Sequence, residues 1–300
     1  NLSETIQLYR FNKITMETNL VALKNALNAT SIQKKFQEML GKKAAGFVTS
    51  ITNVVQNNDL LQKAEVNSII LAAAQAASLD LPINPNLGFS AIIPFNDKKS
   101  GKCIATFQIM RDGWVDLCLR SGQFEYLVNE AVYEGELVEK NRFTDTFVFD
   151  ETKRKSNKII GYMAAFKLTN GYKKTLYMSN EEIMEHAKRY SQTFKRGYGL
   201  WADDPISMSK KTVLKLLLKK YAPKSIESIN NAILSDQAAF KGDVDNNEAY
   251  YPDNRPKIEG GDYAEFEEAN EESKEKPSNK IWFDLIVVFE GGSMTALPPF

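Results

Sequence analysis

The sequence predicts an α+β fold in which helices flank a mainly antiparallel, hairpin-rich sheet, and three observations predict it. Apolar stripes of helical period run up to Leu79, alternating segments divided by turn residues fill the middle, and helical patterning returns after Ser179. A doubly wound sheet would instead alternate strand and helix throughout. No repeat of solenoid length interrupts the order.

The first helices, from Ser31, carry Phe36, Met39 and Leu40 on one stripe and Phe47, Ile51, Val54 and Val55 on the next. Residues 65–79, EVNSIILAAAQAASL, are apolar almost all round and rich in alanine, which suits a central helix packed closely on several sides. Pro82 and Pro85 break it. Strands are expected over 88–95 and 102–109, joined by the polar turn 96–101, with a short helix over 111–120 after them. Extended chain follows over 124–138, and 143–149 and 159–168 read as strands around the polar turn 152–158. Asn170-Gly171 tolerates positive φ at both positions and marks a hairpin closed by 175–178. Ser179 with Glu182 forms a capping box for a helix through Tyr190, and residues 208–221 make the last helix.

The whole chain is neutral, with 38 basic and 38 acidic side chains among 300 residues. That balance conceals a split. Through residue 235 there are 32 Lys plus Arg against 23 Asp plus Glu, whereas 236–280 holds 6 against 13, so a basic body carries an acidic tail. The expected division is therefore an N-terminal extension over 1–30, a folded domain over 31–235, an acidic disordered tail over 236–280, and an unexplained apolar segment over 281–300. The chain begins at Asn1, Met16 would make a sensible start, and both ends read as fragment or read-through sequence. Cys103 and Cys118 are too few for a disulfide framework, and no stretch reads as a membrane span or signal peptide, so the cytoplasm is the expected compartment.

Catalytic patterns are missing from the sequence. It has no GxxxxGK[ST] loop, no GxGxxG after a strand, no GxSxG elbow and no HExxH, and His186 sits on a polar helix as a solvated side chain. Asp112 and Asp116, one helical turn apart, are the one pair on which a Mg-dependent nuclease could be built, although acids at that spacing are ordinary on a helix face. Lys211, Lys215 and Lys219 follow one another at spacing four, a stripe that can track phosphates or simply face water, while Lys210 and Lys220 fall in the apolar arc of the same helix. Arg111 and Arg120 bracket Trp114, and Lys188, Arg189, Lys195 and Arg196 interleave with Tyr190, Phe194, Tyr198 and Trp201. Basic groups with flat rings are what sequence-tolerant binding of single strands requires, since phosphates supply uniform charge and every base a π-face.

Three blocks, LDLPINPNLGFSAIIPF over 79–95, FQIMRDGWVDLCLRSGQ over 107–123, and Trp201 followed by MSKKTVLK over 208–215, resemble in order the RecT family of phage single-strand annealing proteins. The resemblance covers about two-thirds of the chain. It implies a protein of homologous recombination that binds single-stranded DNA and pairs it with a complementary strand without ATP, metal or other cofactor. It implies no catalytic residue, a homo-oligomer in the form of a ring or helical filament, and a phage exonuclease or host single-strand-binding protein as partner. By motif position it implies DNA contacts from Gln108, Arg120, Lys210, Lys211 and Lys215, with Phe107 and Trp201 as base-stacking or groove-shaping rings; Arg111 and Lys219, beside those positions, are added as DNA-contact candidates. Arg111 and Asp112 stand where the family commonly has an aromatic and a lysine, which leaves the charge at 112 reversed. The competing readings are a strand-coating module that does not anneal, the Asp112/Asp116 nuclease, and a structural phage protein whose lysines merely face water.

Overall fold

A computed structural model describes residues 19–250, apart from 98, 99, 142, 192, 193, 196, 198 and 245. Contacts divide the chain into Asn1–Asp253 and Asn254–Phe300, and only the first unit falls among the described residues. The expected tail beyond 250 and the apolar segment 281–300 lie outside them.

Among the described residues, eight labelled helices and nine strands follow in this order: α1 Thr30–Leu40, α2 Ala44–Gln56, α3 Val66–Ser78, β1 Ser90–Asn96, β2 Cys103–Ile109, α4 Arg111–Arg120, β3 Phe124–Tyr133, β4 Leu137–Asn141, β5 Thr146–Phe149, β6 Ile159–Leu168, β7 Lys173–Ser179, α5 Asn180–Tyr190, α6 Leu200–Asp203, α7 Pro205–Tyr221, α8 Glu227–Ser235, β8 Ala239–Gly242 and β9 Asn247–Tyr250. The fold is α+β, with antiparallel pairing throughout. None of the described helices is long and apolar enough to cross a membrane.

The alanine-rich α3 is the central helix: nine of its thirteen residues are buried, and β1, β2 and β8 all pack on it. Alanine suits this place because a small side chain lets backbones approach on several sides without losing helix propensity. The turn that ends it is built as its prolines demand. Asn84 accepts a hydrogen bond from Asn86 N, Pro85 opens a short 3-10 turn, and Gly88 takes φ 69° to leave it. Gly113 serves closeness instead. A Cβ there would lie 2.1 Å from the Phe89 carbonyl oxygen, so only glycine brings the start of α4 against the entry to β1.

The main sheet has the order β3-β6-β7. Here the strand pairing departs from the reading along the chain. β5 does not pair with β6 across the polar turn; it pairs with β4, and β6 pairs instead with β3, so β4–β5 is a hairpin inserted between two partners. Phe143 accordingly belongs to the β4–β5 turn rather than to a strand. Tyr162, Ala164, Phe166 and Leu168 alternate along β6 toward the core, where α7 crosses β6, β7 and β3. α4 packs on β3 and α7, and α8 closes the other side of α4 and β2.

The folded chain exceeds the expected domain at both ends. Leu23 and Leu27, in a helical stretch over 19–27, are in the core, and beyond 235 the chain continues through buried Asp236, Ala238 and Ala239 into β8 and β9. β8 packs on α3 and β2, a long-range contact that an acidic count cannot reveal.

The capping box at α5 is present in full: Glu182 N donates to Ser179 Oγ at 3.2 Å, and Ser179 N donates to the Glu182 carboxylate at 2.7 Å. Replacing Ser179 with Ala removes one of these bonds at an exposed helix start. The expected loss is about 1 kcal/mol of stability, measured as a lower denaturant midpoint at an unchanged slope.

Candidate nucleic-acid interface

α7 starts where Asp204 accepts a hydrogen bond from Ser207 N at 3.0 Å and Pro205 occupies the first turn. Those bonds from Ser207 hold the Asp204 carboxyl below the usual carboxylate range. The helix is sandwiched between the sheet and α4, so its buried set, Ser209, Lys211, Val213, Leu214, Leu217 and Leu218, is wider than a one-sided helix would show.

This burial corrects the view of Lys211, Lys215 and Lys219 as a solvent-facing stripe. Lys211 is only 5% exposed, and its ammonium lies 3.7 Å from Met110 Sδ. Desolvation pushes its pKa down to about 8, with Lys215 adding to the effect and Asp236 opposing it. Lys215 forms an ion pair with Asp236 Oδ2 and donates to Gln237 Oε1 at 3.0 Å. Asp236, 1% exposed, takes a second hydrogen bond from Ile109 N at 2.7 Å through Oδ1. On Oδ2 the ion pair gives charge contact without an aligned hydrogen bond. Gln237, at φ 67°, then turns the chain so that its N–H reaches the Phe107 carbonyl at 2.8 Å.

The end of β2, the start of α4, the face of α7 and the strap 235–237 therefore meet at one place. Gln108, half-buried, and Arg111, exposed, stand at the β2–α4 junction beside it. Their neighbours in sequence, Ile109 and Met110, are the residues that meet Asp236 and Lys211. Lys210 reaches the β3 side, donating to Glu130 at 2.6 Å. Lys219 lies two turns farther along α7 and is half-buried. Arg120 is at the opposite end of α4, where it pairs with Asp116 at 2.7 Å and donates to the Leu79 carbonyl at 2.9 Å, beside an Asp80 that also holds Lys43. The rings expected to meet bases are interior. Phe107 is fully buried, and Trp201 packs edge-on against Phe194 at 5.5 Å, so both can shape a groove but neither offers a face for stacking in this conformation.

Three of the candidate cations already pair with a carboxylate at the surface: Arg111 with Asp112 at 2.5 Å, Lys210 with Glu130, and Arg120 with Asp116. Such surface pairs contribute roughly 0–1 kcal/mol, so a phosphate can replace the carboxylate at small cost while the cation stays aimed. The same pairs engage both acids on which the nuclease reading depended, Asp112 and Asp116. Among the described residues no group of three or more His, Cys, Asp or Glu is placed to hold a metal ion. His186 rests against Tyr190 with ring centroids 4.7 Å apart. Asp236, Gln237, Met110 and Glu130 had no sequence signal, since a lone acid after a short helix matches no pattern.

A model of the RecT family matches residues 45–252, a span that contains the β2–α4 junction, α7 and the strap. The chain belongs to the RecT family. RecT proteins act in single-strand annealing during recombination, and the resemblance carried by the three sequence blocks is thereby established. A relative in Bacillus subtilis (strain 168), the uncharacterized protein YqaK, is 35% identical over 256 residues, which cover 85% of this chain and 83% of that protein.

Proposed function

We propose that this RecT-family chain binds single-stranded DNA and pairs it with its complement without ATP, as a homo-oligomer acting in the cytoplasm alongside a phage exonuclease or host single-strand-binding protein. The observation that carries this reading is the family match, whose span holds every candidate DNA-contacting residue, from Gln108, Arg111 and Arg120 through Lys210, Lys211, Lys215 and Lys219. The mechanism requires no catalytic residue. It needs phosphate repulsion neutralised, a strand kept extended, and base edges left open to an incoming complement. Arg111 and Lys210 are assigned the direct phosphate contacts, because the carboxylates they pair with, Asp112 and Glu130, lie at the surface, with side chains 43% and 62% exposed. Lys211 and Lys215 are assigned the support of the surface on which those contacts sit, because their charge is spent on Met110, Asp236 and Gln237.

The test follows pairing of two complementary labelled oligonucleotides at moderate salt without ATP, comparing the native chain with a variant carrying Arg111→Ala and Lys210→Ala. The native chain is expected to accelerate pairing. The variant should slow it and flatten the log–log salt dependence of strand binding by about 0.7 for each phosphate left without its cation. Strands that are bound but never paired would show a coating module and overturn the annealing assignment.

A further inference from the structure

Gln237 holds a backbone conformation that its side chain makes costly. Its φ of 67° is left-handed, and among the described residues other than glycine only Asp80 and Asp145 also have positive φ. Aspartate tolerates that region because its short polar side chain can bond to nearby backbone, whereas the longer glutamine side chain has no such advantage. Glycine would adopt the same turn without strain and would keep the N–H that reaches the Phe107 carbonyl at 2.8 Å. The turn therefore accounts for the backbone at 237 and not for the side chain on it. That side chain is only half engaged. Lys215 Nζ donates to Oε1 at 3.0 Å, and because an ammonium can only donate, the atom facing it is the amide oxygen. The amide nitrogen is left with two N–H donors that have no partner among the described residues, on a residue exposed to solvent. Gln237 lies against Phe107, the residue before Gln108, and Asp236 lies against Ile109, two residues before Arg111. The strap thus places Gln237 at the same end of β2 as those two DNA-contact candidates.

We propose that Gln237 is a further DNA-contacting residue, donating from its amide nitrogen to a phosphate oxygen of the bound single strand while Lys215 fixes the orientation of the amide. The proposal rests on the nucleic-acid reading above and adds a neutral donor outside the three motif blocks. The chemistry suits the place. Lys215 spends its charge on Asp236, so it is not free to neutralise a phosphate itself. Its ammonium on the amide oxygen polarises the group, however, and a polarised amide is a stronger donor through its N–H. Glutamine side chains are among the neutral groups that bond phosphate oxygens and so fix the register of a strand without adding charge.

The test measures binding of the full chain to oligo(dT) and to oligo(dA) over a series of salt concentrations, for the native chain and for Gln237→Gly. Loss of a hydrogen bond to a charged phosphate should weaken binding roughly 10- to 100-fold on both oligonucleotides. The log–log salt slope should stay where it is, because a neutral donor releases no counter-ion, and this separates Gln237 from Arg111 and Lys210, whose removal flattens the slope. Glycine relieves the strain at 237, so the variant should keep a cooperative thermal melt. Native affinity in the variant would overturn the proposal. So would tighter binding with a steeper slope, which would make Gln237 a restraint on Lys215 alone. A loss confined to one oligonucleotide would overturn the phosphate assignment in favour of a base edge. Failure of the native chain to bind either oligonucleotide would instead overturn the parent reading.

Discussion

Replacing Asp236 with Ala is expected to destabilise the folded chain by about 3–5 kcal/mol, the loss that follows when one partner of a buried ion pair is removed. Three groups depend on this carboxylate. Lys215 loses its counter-ion, Ile109 N loses a buried acceptor, and Lys211 loses the nearby negative charge that favours its ionised form. An Asp236→Asn variant separates the contributions, because the amide oxygen can still accept from Ile109 while the charge is gone. It should fall between the native chain and the alanine variant. Denaturant unfolding followed through tryptophan fluorescence suits the measurement, as Trp114 and Trp201 are in the core. A loss of less than about 1 kcal/mol in the alanine variant, the size of an ordinary surface change, would show that the strap does not hold α7 to β2.

How much of this arrangement the sequence discloses varies with the range of the interaction. Local chemistry is well disclosed. The Ser179 and Glu182 box, the Asn170-Gly171 hairpin and the bounds of α4 follow from a few neighbouring residues, and each is present. Strand pairing is not disclosed, because alternation shows that 146–149 is extended without saying whether its partner is β4 or β6. The burial of Lys211 is hidden for a related reason. A spacing of four gives the same lysine stripe whether the helix packs on one side or on two, and only the position of α4 opposite the sheet shows that α7 packs on two. Motif resemblance points to a stretch of α7, yet it could not distinguish cations paired with a surface carboxylate from those that meet the buried Asp236. α8 and the strap escaped notice because a nine-residue helix with three buried positions leaves too short a period to read.

Lys211 makes that distinction measurable through pH. Its folded pKa of about 8 lies below its ordinary value of 10.5, so between those values the unfolded chain binds more protons than the folded one. Stability at this site therefore rises with pH: the cost of burying the ammonium is fully present below about pH 8 and is relieved as pH climbs toward about 10.5. The size of that cost is on the order of 3 kcal/mol, at about 1.4 kcal/mol per unit of displacement. Lys211→Met keeps the length of the side chain and its contact with Met110 while removing the titration, and a buried charge exchanged for an apolar group of similar volume commonly leaves a protein as stable or more so. The variant should thus exceed the native chain at pH 7.5, and the gap should narrow by about half or more by pH 9.5. Comparing the two chains cancels the lysines that titrate alike in both. A gap that stays constant across this range would mean that Lys211 keeps its charge throughout, with its ammonium reaching water or an anion rather than resting against Met110.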